Sequence, residues 1–105
     1  MMNLGLIKPD EVVNLLCTRL RQERLSQQMT QAEVAARAGI GAGTLSNLEA
    51  GRSVAFDSVV RVAMVLGRLN ELEQLFLPQL DSLDDILRYE QSAKRQRVKR
   101  KTGHA

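Results

Sequence analysis

Apolar residues recur three and four positions apart along most of the chain, in short blocks closed by glycine or proline. The first block opens at Lys8-Pro9-Asp10-Glu11, where a proline in the first turn and two acids facing the positive end of a helix dipole predict a helix start. Val12, Val13, Leu15, Leu16 and Leu20 carry its buried side to about Gln27, with Cys17 on or near it; Leu25 and Met29 close the loop that follows. Thr30 and Glu33 form a capping-box pair for a second helix, whose face is Val34, Ala35 and Ala38. Gly39 ends it and Ile40 plugs the corner. A third helix from about Ala42 to Ala50 turns Leu45 and Leu48 inward, and Gly51 stops it. A fourth, from about Phe56 to Leu66, would bury Phe56, Val59, Val60, Ala63 and Leu66, with Gly67 at its end. Asn70 can cap a fifth through Phe76, before Pro78. Ser82-Leu83-Asp84-Asp85 is another capping signal, and Leu83, Ile86, Leu87 and Tyr89 begin a sixth helix whose apolar stripe fades after Glu90.

The expected fold is all-α: five helices followed by a short C-terminal helix and a basic tail. The chain divides into an arm at 1–8, a domain at 9–78, an acidic extension at 79–93 and a tail at 94–105 expected to be disordered. Leu4, Leu6 and Ile7 make the arm apolar. Charge sharpens this division. The net charge of +3 is the balance of two unlike parts. Residues 1–93 hold nine Lys and Arg against twelve Asp and Glu, whereas residues 94–105 hold six Lys and Arg and no acid. Any anion binding by the domain therefore depends on a few positioned groups rather than on a broad positive face. Cys17 is the single cysteine, which excludes an internal disulfide and suits a reducing compartment. No apolar run approaches the ~18–20 residues of a membrane span, and the cytoplasm is the expected location.

Two short helices joined by a tight, glycine-containing turn, from Thr30 to Gly51, form a helix-turn-helix pattern, which delivers its second helix to the major groove of DNA. Arg24, Thr30-Gln31, Glu33-Val34-Ala35, Gly39-Ile40, Thr44-Leu45-Ser46, Leu48-Glu49 and Gly51 together resemble the Cro/CI-type (Xre) helix-turn-helix family, over roughly residues 18–67. That resemblance implies a pairing of Arg24 with Glu49, which would lock the first helix to the third. It also supports a phosphate contact by Gln31, at the start of the second helix, where backbone donors and a side-chain amide converge.

Thr44 can add a hydroxyl contact to the DNA backbone, and Arg52, in the loop beyond Gly51, is well placed to touch a phosphate. Base reading falls to the outward positions of the third helix: Ala42, Gly43, Ser46 and Asn47. Gly41-Ala42-Gly43 departs from many relatives, which carry long polar or basic side chains there. It offers close approach, and Ala42 a methyl contact to thymine, but no side-chain hydrogen bond. Asn47 is the leading candidate for a base edge. Modest direct readout implies help from water and DNA shape.

Leu69, Leu72, Leu75 and Phe76 exceed the apolar surface so small a domain needs, and they point to a two-fold homodimer. The leading expectation is a dimeric, sequence-specific repressor acting on operator DNA. Small members of the resembling family with short extensions include HipB-like antitoxins, which repress their own operon and bind a HipA-like kinase toxin; the alternatives are a free-standing or phage-type regulator and an adaptor working through protein contacts. Neither a cofactor nor an enzymatic activity is expected: His104 is the lone histidine, and no nucleophile–base pair or metal-ligand cluster is present in the sequence.

Overall fold

A computed structural model describes the backbone of residues 8–103 and the side chains of 8–95; the expectations for Leu4, Leu6, Ile7 and His104 lie outside the described residues. Six helices occur in the order α1 (Pro9–Ser26), α2 (Gln31–Ala38), α3 (Ala42–Glu49), α4 (Phe56–Val65), α5 (Leu69–Gln74) and α6 (Leu83–Gly103). The chain falls into two compact units, one ending at Gln74 and one beginning at Leu75. None of the helices is long and apolar enough to cross a membrane among the described residues.

The first unit holds α1–α5. α2 packs on α3 and α4, and α1 on the same two helices. Val34, Leu45, Leu48 and Val62 are almost completely buried where these helices meet, each contributing about 1.5–3 kcal/mol through burial. Cys17, Ala35, Ala38, Ala63 and Leu66 complete the set, and Leu20, Met29, Ile40, Val54, Val59 and Val65 pack around it. The small residues on α2 let its neighbours approach closely.

Capping chemistry fixes the turn between α2 and α3. Thr30 Oγ1 accepts from the Glu33 backbone N–H at 3.1 Å, and the Glu33 carboxylate accepts from the Thr30 N–H at 3.1 Å, closing a capping box. Gly39 adopts φ +72°, and its N–H and that of Ile40 return to the carbonyls of Ala36 and Ala35. This is the paired-bond helix ending that favours glycine, because a side chain at positive φ is strained. Gly51 ends α3 in the same manner at φ +74°, and there a Cβ would also collide with the Asn14 side chain of α1.

Four expectations need correction. Phe56 is 69% exposed; the buried side of α4 is set by Ser58, Val62, Ala63 and Leu66, and Val62 takes the central place. Phe56 is the first helical residue, after the Ala55 cap, and it stands at the rim of surface grooves instead of under a neighbouring helix. On α1, Val12, Val13 and Leu16 are likewise exposed, because the helix turns Cys17 and Arg24 inward with Leu15 and Leu20 half-buried. α5 begins at Leu69, so Asn70 is its second residue and not its cap, and it stops at Gln74 rather than Phe76, which has left-handed backbone at φ +56°. Finally, the last helix is not short. Ser82 Oγ caps it through the Asp85 N–H at 3.2 Å, and it runs for 21 residues through the basic stretch to Gly103. Lys, Arg and Gln are good helix formers, no glycine or proline intervenes before Gly103, and cations suit a helix C-terminus.

Cys17 is 2% exposed, and burial pushes its thiol pKa up. A thiol reagent added to the native protein should therefore label it only at the rate of unfolding, and rapidly in denaturant. Fast native-state labelling would mean that α1 opens locally away from α3 and α4.

Candidate nucleic-acid interface

α3 presents two chemically different sides. Leu45, Leu48 and Glu49 face the interior, and Ala42, Gly43, Thr44, Ser46 and Asn47 are exposed. The division follows from helical periodicity once both leucines are anchored. Gly41 serves as the N-cap without a side-chain bond, and nothing lies within 4 Å of where a Gly43 Cβ would be. The start of α3 is thus a low surface of backbone and one methyl group, and Ser46 and Asn47 supply the polar side chains one turn later. Arg52 is exposed just past the Gly51 turn, with its N–H held by the Asn47 carbonyl at 2.8 Å.

Beneath this surface lies a buried polar core. Arg24 of α1 and Glu49 of α3 are 6% and 7% exposed and meet in a two-pronged ion pair. Arg24 Nε donates to Glu49 Oε2 at 2.6 Å and Nη2 donates to Oε1 at 3.0 Å. Arg24 Nη1 donates to the Met29 carbonyl at 2.8 Å, so one guanidinium joins α1, the loop before α2, and α3. Burial pushes the Glu49 carboxyl upward, but hydrogen bonds from Arg24 and Gln31, aided by the Arg24 charge, more than offset it, and its pKa is lowered.

Gln31 is the first residue of α2 and is half-buried. Its Nε2 donates to Glu49 Oε1 at 2.9 Å. Gln31, expected to face a phosphate, carries no sequence signal of its bond to Glu49, because the two stand 18 positions apart on different helices. Nor does local spacing signal Gln27, whose Nε2 donates to the Leu66 carbonyl at 2.8 Å, or an exposed cluster in which Arg68 pairs with Glu23 and Glu71. Gln27 ties the end of α1 to the end of α4, and Arg68, between α4 and α5, ties Glu23 of α1 to Glu71 of α5. Of the residues expected at a dimer contact, Leu69 is 41% exposed and Leu72 half-buried on α5; Leu75 and Phe76 are exposed beyond it.

A rigid pair of short helices, one with its N-terminus capped and the other exposing a small polar face, defines a helix-turn-helix DNA-binding domain. The helix-turn-helix family of the Xre, or Cro/CI, type matches residues 20–73, and the chain belongs to it. That family is one of sequence-specific DNA-binding regulators and is not typically catalytic. No curated protein matches the chain.

Proposed function

We propose that the protein is a dimeric transcriptional repressor that binds operator DNA through α3 and regulates its own operon as the HipB-like antitoxin of a toxin–antitoxin pair. The observation that carries the DNA-binding part is the exposure of Ser46 and Asn47 on a helix whose opposite side is locked by Leu45, Leu48 and the Arg24–Glu49 pair. In this reading Asn47 reads a base edge, Ser46 assists it, and Ala42 and Gly43 allow close approach to the groove. Gln31, Thr44 and Arg52 bind phosphates and set the register.

Few base contacts per subunit make a monomer a weak reader. A two-fold pair built on Leu69, Leu72, Leu75 and Phe76, spanning half-sites about 34 Å apart, supplies the missing affinity. The antitoxin role draws its support from size, from the acidic stretch at residues 71–85 and from the basic residues after 93. The stretch and the basic segment are then the surfaces offered to a HipA-like kinase toxin. Without such a partner the same residues describe a free-standing or phage-type regulator.

A mobility shift with the protein's own upstream promoter, competed by random duplex across a salt series, tests the reading. Selective retention of the promoter supports autoregulation. Equal, salt-labile loss from both duplexes sinks it and favours an adaptor working through protein contacts. Asn47→Ala should cost about 1–3 kcal/mol of binding, confined to one base position of each half-site. Binding measured against duplexes substituted one base pair at a time reads this directly; a uniform loss at every position would remove Asn47 from base reading.

A further inference from the structure

The Glu49 carboxylate accepts from two directions, and the second donor is the one that matters for DNA. Arg24 occupies Oε2 and shares Oε1 with the amide nitrogen of Gln31. An ionised carboxylate has no hydrogen to give, so the nitrogen of the Gln31 amide, and not its carbonyl oxygen, must face it. One Nε2 hydrogen is used in that bond. The other remains, in the same first turn of α2 whose leading backbone N–H groups, those of Gln31 and Ala32, have no intrahelical carbonyl to meet.

The ion pair removes an electrostatic obstacle at the same time. A bare carboxylate one hydrogen bond away from a phosphate-binding amide would repel the phosphate. Arg24, buried against it, cancels that charge while leaving the acceptor oxygen in place. Gln31 is therefore tied at the side of its amide that faces the protein, with its rotamer chosen before DNA arrives.

We propose that Glu49 is a positioning residue for DNA-backbone recognition: it fixes the amide of Gln31 so that the second Nε2–H is presented to a phosphate oxygen. This rests on the phosphate role proposed for Gln31 above. It assigns to the α1–α3 ion pair a part in binding as well as in folding.

A double-mutant cycle on the full chain separates the two. The probe is a duplex of about three helical turns, enriched from a randomised pool by the parent protein. Gln31→Ala should weaken binding about tenfold in the parent and about twofold or less in a Glu49→Gln background, where the neutral amide can either accept from Gln31 Nε2 or donate to Gln31 Oε1 and so no longer fixes its orientation. Equal losses in the two backgrounds overturn the positioning role and leave the phosphate contact standing. No loss from Gln31→Ala in the parent overturns the phosphate contact, and the inference with it.

Should Glu49→Gln not fold, nuclear magnetic resonance of the parent alone decides. The inference requires one Gln31 Nε2 proton shifted and protected from solvent, with its twin exchanging as in an exposed glutamine. Two equally exchanging protons overturn it.

Discussion

Arg24→Met should remove about 3–5 kcal/mol of folding free energy, a large share of what a domain of this size possesses. The substitution keeps most of the side chain's length but leaves Glu49, 7% exposed, as a buried carboxylate without its cation. It also leaves the Met29 carbonyl without the Arg24 donor. In the parent, the Glu49 pKa is lowered relative to the unfolded chain, so its contribution is complete above the ordinary carboxylate range and is lost as pH falls through the lowered value. Without Arg24, burial is opposed only by the Gln31 hydrogen bond and the Arg21 charge, so the Glu49 pKa moves up from its value in the parent. The variant should then lose less stability than the parent as pH falls, and the gap between them should narrow on going from about pH 7 to about pH 4. Urea titrations of both proteins at the two pH values measure this. Arg24→Met combined with Glu49→Leu should recover most of the loss, because no buried charge remains. A gap under about 1 kcal/mol at neutral pH would place the pair with ordinary surface ion pairs.

Deleting residues 94–105 should flatten the dependence of DNA binding on salt without changing which duplex is preferred. Six Lys and Arg and no acid leave with that segment. If all six neutralised phosphates, the slope of log affinity against log salt would fall by about 5. Engagement of about half of these charges by one duplex gives a smaller figure. A slope change of about 3 is the expected result, with affinity for random and promoter duplexes reduced alike. Anisotropy titrations at several salt concentrations provide the slope. An unchanged slope would assign the basic segment to a protein partner or to solubility.

The parts of the fold written in local chemistry were the readable ones. Thr30 with Glu33, Gly39, Gly51, and Ser82 before Asp85 each satisfy helix-end hydrogen bonds within a few residues, so their roles follow from spacing alone. Leu45 and Leu48 were readable for a similar reason: three residues apart on a short helix, they leave one way to face inward. Phe56 was misread because periodicity gives a helix's apolar side but not where the neighbouring helices stop covering it. Val62, in the centre of the same helix, is where coverage is complete. The length of α6 was misread from charge: like charges disfavour a helix, but strong intrinsic propensity over an uninterrupted stretch carries it through.

In the candidate interface, the sequence by itself pointed to the exposed residues of α3 that are the candidates for DNA contact. Ser46 and Asn47 fall between the inward Leu45 and Leu48, Ala42 and Gly43 stand in the turn before Leu45, and all four are exposed. Tertiary structure alone decided how Gln31 is held. Its partner, Glu49, lies 18 positions away on another helix, and it takes the packing of α2 against α3 to bring an amide nitrogen within 2.9 Å of a carboxylate oxygen. Local spacing encodes bonds that close within a turn; a bond between helices exists only after the core has set the distance between them.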